Sequence, residues 1–530
     1  IMEAQSTTSL MGSAPGSLPD NLQFWLWTCM VIYIAVLLGL GWFSSKKIKG
    51  MNDFLVAGRR LPLWMATATL LATWFGAGSS MGVAATVYSD GIGGVLADPF
   101  GASLSLILAG IFIVGLLRRL KCLTVTDIIE RRYGKWAGIY ASAWMVPVYI
   151  GWLGAQVLGM GTIIHVLTGL DITSGTLIAA GIVLIYTVAG GMWAVTLTDI
   201  VQVSLIIIGL FLIIPGAVSE AGGWPTLLKT IPEADLSLAK TADTSWTYYI
   251  GSWIIMGFGC MVGQDLVQRS LSSRNDKIAA SSSIIAGFFY LAIAVVPITI
   301  GFAARIVLAK YNITTETMGG DLENQVLPRM ALIILGKLSP AVMILFLCAL
   351  VSAILSSADS SLLAGASLLT NNVIRPMFPR MSDKSLLMMT RIATIALTVI
   401  GTYLALNVKS IYALMINSWA SQLVIVFWPV IGALYFSKST KNTAWACMAV
   451  STAVWFSYIF AESSGIQLDP EAVKADGYIA ALMQSDGFDH ALTCGSVWGF
   501  VAGVTAFFFT YLGERIPHWK LDAPEEEEED

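Results

Sequence analysis

The chain has 530 residues, of which 56% are hydrophobic and 12% charged, whereas an ordinary soluble protein carries about 25% charged residues. Its net charge is −4, and the terminal run EEEEED supplies six of the acids, as a solvated end would. This is the composition of a polytopic membrane protein; it leaves no soluble domain large enough for a separate activity, and no nucleic-acid partner is expected. The six cysteines are scattered without CxxC or metal-like spacing, which argues against structural disulfides.

Apolar runs long enough to cross a bilayer recur along the whole length. In chain order they fall near 24–43, 61–88, 92–117, 136–168, 173–192, 193–217, 246–268, 277–306, 338–371, 386–406, 409–436, 443–462 and 491–513. Thirteen spans put the two ends on opposite sides. With the N-terminus outside, 21 of the 30 Lys and Arg fall in inner loops, among them Arg59, Arg118, Arg131, Arg274, Arg375 and Lys438. The positive-inside rule therefore predicts an outer N-terminus and a cytoplasmic tail, in a plasma membrane or bacterial inner membrane.

Two spans are interrupted by glycine. LLATWFGAGSSMGVAA (70–85) and WIIMGFGCMVGQDLVQR (253–269) each hold three glycines among apolar residues. The first lies in a set of five spans (61–217) and the second opens another five (246–436), which an odd number of spans makes inverted. Glycine-broken helices at matching positions of two inverted halves point to a central binding site of a secondary transporter; taken singly, such glycines also serve close helix packing. Around the two repeats the predicted organisation is an outer segment (1–23), a peripheral first helix and inner loop (24–60), two peripheral C-terminal helices (443–513) and the acidic tail (514–530).

The sixth span carries TLTDIVQ (196–202), with Asp199 expected in the first turns of a helix, where the dipole alone would favour an acid. The ninth span carries ALVSAILSSADSSLLAGASLLTN (349–371). Ala353, Ser356, Ser357 and Ser360 follow helical spacing, and Asp359 lies three residues beyond Ser356. A carboxylate at membrane depth needs a positive partner or a wet cavity. Hydroxyls and carboxylates suit a hard cation, and unwound backbone around Ala72 to Phe75 offers further carbonyl ligands. Sodium is the cation expected beside Asp199 and Asp359.

R-x-L-P-x-W ending at Trp64, T-D-I-V-Q, Q-R-x-L-S-S (Gln268 to Ser273) and A-x-x-S-S in the ninth span resemble the sodium:solute symporter family with the LeuT-type fold, over about residues 22–513. The resemblance implies an all-α integral membrane protein with a 5+5 inverted repeat and two broken helices. It also implies a sodium site formed by Ala353, Ser356 and Ser357 with backbone carbonyls of Ala72 and Phe75, and a second formed by Asp199, Ser356 and Ser360. Asp359 stands where several members carry a hydroxyl, compatible with tighter sodium binding, two sodium ions or a proton. One or two sodium ions and no organic cofactor are expected. A-T-W-x-G-x-G (Ala72 to Gly78), S-S-A-D-S-S and G-x-S-L-S-L-I-L (Gly101 to Leu108) look like the choline-transporter branch. Trp74 falls where that branch places a cage tryptophan, whereas Ala102 and Gly263 stand at two further cage positions.

Between the broken helices, the expected solute-binding residues are Trp74, Asp98, Tyr149, Trp152, Gln156, Gln264, Asp265 and Gln422, a set suited to a cationic or amine-bearing solute. Asp265 also has a plainer reading, an i,i+4 pair with Arg269. An embedded hydrolase is disfavoured because His165, His490 and His518 lie away from Ser356 and Ser360, so a serine would lack its base. A cation channel lined by hydroxyls is the other alternative. The partners are a small solute, sodium and lipid, as a monomer or homodimer, and solutes other than choline stay open.

Overall fold

The computed structural model describes residues 56–514 except 242–243, 315–321, 409, 471–472, 475–477 and 484, together with scattered residues between 24 and 39. The outer segment 1–23, most of the predicted first span and inner loop, and the tail from 515 onward lie outside the described residues.

We name the principal helices in chain order: α1 (Leu63–Trp74), α2 (Gly78–Asp90), α3 (Ile92–Phe112), α4 (Thr126–Tyr133), α5 (Lys135–Thr168), α6 (Ile172–Glu220), α7 (Trp246–Val262), α8 (Gln264–Ser272), α9 (Asp276–Lys310), α10 (Leu322–Leu338), α11 (Pro340–Met377), α12 (Lys384–Asn407), α13 (Ile411–Tyr435), α14 (Lys441–Ser463) and α15 (Asp486–Gly513). Among the described residues nine helices are long and apolar enough to cross a membrane, and the bent pairs α1/α2 and α7/α8 bring the number to eleven. These coincide with eleven of the thirteen predicted spans.

The predicted boundary at 192/193 is not a loop. One helical run, α6, holds both segments, with its apolar parts at Ile172–Ile185 and Val195–Glu220. Gly190 and Gly191 stand at this boundary as a turn signal, yet the helical backbone runs through them. Asp199 consequently lies inside a helix rather than in a first turn, and the dipole account of that acid falls away.

Helix starts follow local chemistry. Asp171, Asn275, Ser382, Ser410, Thr440 and Ser485 each accept a backbone N–H three residues on, the side-chain cap that replaces a missing intrahelical partner. α5 stops at Gly169, whose φ of +74° is the left-handed conformation glycine adopts without strain.

Burial sorts the helices into centre and periphery. The most apolar stretch of α5 is 89% buried and that of α14 only 28%, so α5 is the axle of the molecule. It packs against α6, α11, α12 and α13, while α14 and α15 lie against each other outside them. α1/α2 and α7/α8 are the two glycine-bearing spans, bent by 63° and 41° at their breaks. Their predicted inner ends are joined by main chain. Leu61 N donates to Ser272 O at 3.0 Å and Arg274 N to Leu61 O at 2.9 Å. The R-x-L-P-x-W and Q-R-x-L-S-S motifs are thus neighbours in space, and Arg118 Nε caps the junction through Ser273 O at 2.7 Å.

Candidate functional site

The two breaks face each other. α1 ends where Phe75 leaves the helical conformation (φ −91°, ψ 79°). A break frees donors and acceptors that must find partners inside the protein. Ala77 N finds Gln156 Oε1 of α5 at 2.9 Å, and Thr73 O accepts the Ser357 hydroxyl of α11 at 2.7 Å. Gly76 lies between these two side chains: a Cβ there would strike Ser357 Oγ and stand 2.5 Å from Gln156 Oε1.

On one side of the break is an oxygen cluster shared by α1, α6 and α11. Asp199 accepts the Ser356 hydroxyl at 2.6 Å and, on its other oxygen, the Thr69 hydroxyl. Ser360 Oγ lies 2.5 Å from Ser356 O, 3.2 Å from Asp359 Oδ1 and 3.3 Å from Thr73 Oγ1, and accepts from Arg269 Nη2 of α8. Thr69, Thr73, Asp199, Ser356, Ser357, Asp359, Ser360 and Arg269 are all fully buried. The cluster can offer a hard cation two carboxylates and several hydroxyls within three helices. Ala72 and Ala353 are buried beside it; Phe75 and Ala353 also line an apolar cleft with Ile206, Leu210 and Phe346.

On the other side is an aromatic cluster around a third carboxylate. Asp265 opens α8 and, instead of pairing with Arg269, accepts Trp74 Nε1 at 2.7 Å and Tyr149 OH at 3.1 Å. The Trp419 ring of α13 approaches Trp74, Tyr149 and Trp152, with centroids at 6.4, 6.1 and 5.6 Å. It comes this close because residue 263 has no side chain: a Cβ on Gly263 would be 3.3 Å from the Trp419 ring and 2.8 Å from Asp265 Oδ1. Asp98 forms the far wall with Tyr290, whose hydroxyl donates to Asp98 Oδ1 at 2.6 Å and whose ring meets Trp74 edge-on at 6.3 Å. Ser79 Oγ stands 2.8 Å from Asp98 Oδ2 and 2.9 Å from Trp74 O.

Trp74, Tyr149, Trp152 and Asp265 therefore come together as expected from the sequence, with Asp98 behind them. Gln156 is spent on the break, with its Nε2 unpartnered. Gln264 turns away: its Oε1 accepts Val125 N at 2.9 Å and its Nε2 reaches Ser367 Oγ at 3.4 Å. Gln422 is fully buried, with neither amide atom hydrogen-bonded among the described residues. Sequence reasoning missed Thr69, Tyr290 and Trp419. Thr69 is one helical turn before Thr73, a signal available in ATATLLATW, and Trp419 lies three residues before Gln422 in the same predicted span. Tyr290 sits in the apolar stretch FFYLAIAVV, which gives no sign of it.

A family model described as the sodium:solute symporter family matches residues 54–451. The chain belongs to this family. It is a multi-pass membrane transporter whose family couples solute movement to sodium. Among curated relatives, this symporter is 30% identical over 432 residues to the high affinity choline transporter 1 of Homo sapiens, a match covering 78% of this chain and 73% of that protein. It is 28% identical to the high-affinity choline transporter 1 of Caenorhabditis elegans, covering 79% and 75%. It is 25% identical to the osmoregulated proline transporter OpuE of Bacillus subtilis (strain 168), covering 82% and 89%. A solved structure of a Na+-coupled sialic acid symporter in a substrate-bound outward-open state superposes with a TM-score of 0.70 at 18% identity, over 91% of this chain and 97% of that one. The fold is of the LeuT type.

Proposed function

We propose that this symporter imports a small cationic or amine-bearing solute, choline or a chemical relative of it, together with sodium. The observation that carries the reading is the buried Asp265 carboxylate ringed by Trp74, Tyr149, Trp152 and Trp419. A quaternary ammonium donates no hydrogen bond and is held by aromatic faces and negative charge, about 2 kcal/mol or more per desolvated cation–π contact. An amine with N–H groups would use the same carboxylate as acceptor. The choline transporters among the relatives support the first form; the proline transporter keeps amino acids as the second reading.

In this reading one sodium binds carbonyls of Ala72, Phe75 and Ala353 with the hydroxyls of Ser356 and Ser357. A second binds Asp199, Ser356 and Ser360, with Thr69 added to its ligands, and Asp359 supplies further negative charge. Both sites bridge α11 to the broken α1, so sodium orders the same break that presents Trp74 to the solute. Sodium entering from outside favours the outward state, solute favours closure, and low cytoplasmic sodium drives release. The N-terminus faces outside and the C-terminus the cytoplasm.

Uptake into proteoliposomes under an inward sodium gradient tests this, with choline, betaine, proline, a monocarboxylate and a sugar in parallel. Saturable, sodium-dependent uptake of choline is expected. Preference for an anion or a sugar would remove the aromatic–carboxylate pocket model, and sodium-independent flux of every cation would favour a channel.

A further inference from the structure

We infer that Arg269 is a tethered cation that competes with sodium for the Asp199 site, weakening sodium there and speeding its release. The inference rests on the assignment of a sodium ion to Asp199, Ser356 and Ser360.

Arg269 is fully buried at membrane depth. A guanidinium carries five N–H donors and stays charged, and such a group is costly to bury unless paired. Here the Nη2 group alone is used, on Ser360, while Nε and Nη1 are buried without a hydrogen-bond partner among the described residues. The i,i+4 acid on its own helix, Asp265, is taken by Trp74 and Tyr149. The acceptor it does hold, Ser360 Oγ, is the hydroxyl at the centre of the cluster, within 3.3 Å of Thr73 Oγ1 and Asp359 Oδ1 alike. The opposing carboxylate, Asp199, shares Ser356 with it: Ser356 Oγ donates to Asp199, and Ser356 O takes Ser360. Arg269 therefore holds one proposed ligand of the ion, and only Ser360 and Ser356 separate it from the charged one along these bonds.

This arrangement has two physical consequences. Of the two lone pairs of the Ser360 hydroxyl, one is directed at Arg269, which leaves a single one for an incoming ion. A fixed positive charge also repels sodium in a medium that screens poorly. When the ion leaves, the unused N–H groups are at hand to neutralise the site, so Asp199 is not stranded in an apolar interior. The result is a site loaded only by high external sodium and emptied quickly inside.

The decisive comparison is Arg269→Gln against Arg269→Lys, reading sodium affinity by tryptophan fluorescence of purified protein and turnover in proteoliposomes. Arg269→Gln is expected to bind sodium about tenfold more tightly, because a like charge is removed in a poorly screened interior, and to turn over more slowly because the ion no longer leaves. Arg269→Lys keeps the charge and is expected within about threefold of the parent in sodium affinity. Unchanged or weaker sodium binding in folded Arg269→Gln overturns the inference, as does equal tightening in both variants. Should Arg269→Gln fail to fold, Arg269→Gln combined with Asp359→Asn removes one charge of each sign and must still bind sodium more tightly than Asp359→Asn alone. Asp199→Asn separates the levels: if it leaves sodium activation unchanged, the underlying site assignment fails; if it weakens activation while the Arg269 variants behave like the parent, only the competition fails.

Discussion

Gly76 shows how little room the centre of the symporter leaves. It sits at the break of α1 with a serine hydroxyl on one side and a glutamine amide oxygen on the other, each already holding a main-chain group of the broken helix. Gly76→Ala is therefore expected to destabilise the fold by about 1–3 kcal/mol through overpacking, seen as a lowered Tm, and to impair sodium activation because Ser357 must move. A neighbouring residue separates charge from shape. Asp265→Asn keeps an oxygen for one of Trp74 and Tyr149, which use separate carboxylate oxygens, and removes the negative charge, so the half-saturating concentration of a cationic solute should rise about tenfold or more while sodium affinity stays near that of the parent. If uptake of the preferred solute were indifferent to this change, Asp265 would be only a scaffold for the rings.

At the scale of elements, the contacts nearest the predicted inner face suggest what opens. Asp127, in the first turn of α4, accepts Leu123 N at 2.7 Å, the Thr124 hydroxyl at 2.6 Å and Asn372 Nδ2 of α11 at 2.8 Å. It thus fastens the segment after α3 to the ion-binding helix, and Gln264 fastens the same segment to α8 through Val125. Cys122, inside this segment, is fully buried. With Cys122 as the single cysteine, Asp127→Ala is expected to speed its alkylation about tenfold, since hydrogen bonds to a charged group contribute about 1.5–3 kcal/mol. Alkylation no faster than in the parent would mean that the segment is held by other contacts.

The helices and their two breaks were legible in the sequence because apolar length and glycine placement are local signals. Ser356, Ser357, Asp359 and Ser360 were legible because polar residues stand out in hydrocarbon. The partners of Gln264, Val125 N and Ser367 Oγ, were not legible: depth says that a polar side chain must find a partner, not in which direction. Tyr290 was invisible because an aromatic in an apolar helix looks like packing until another helix brings a carboxylate to its hydroxyl. The 192/193 boundary failed because hydropathy marks apolar stretches but not whether the backbone between them stays helical.

For the whole molecule, the proposed ion and solute sites share one flexible element, the break of α1. Coupling through it is reciprocal by thermodynamic necessity. If sodium raises solute affinity by some factor, saturating solute must raise sodium affinity by the same factor, and paired equilibrium titrations on detergent-purified protein check this directly. Unequal factors would mean that a further ligand is being carried or exchanged. This element is tied to the buried α5 axle through Gln156.

The junction of Leu61 with Ser272 and Arg274 carries a lesson for anyone who would redesign this carrier. It is a seam of two main-chain bonds, each worth about 1 kcal/mol net, with the Arg118 guanidinium capping it through Ser273 O and Arg274 O. Side chains other than Arg118 can be altered on either side without unpicking the seam, whereas removing a single N–H by putting proline at 274 would loosen it. A fastening this light can be strengthened or weakened without touching Trp74, Asp265 or the oxygen cluster, which makes it a place to tune speed apart from what is carried.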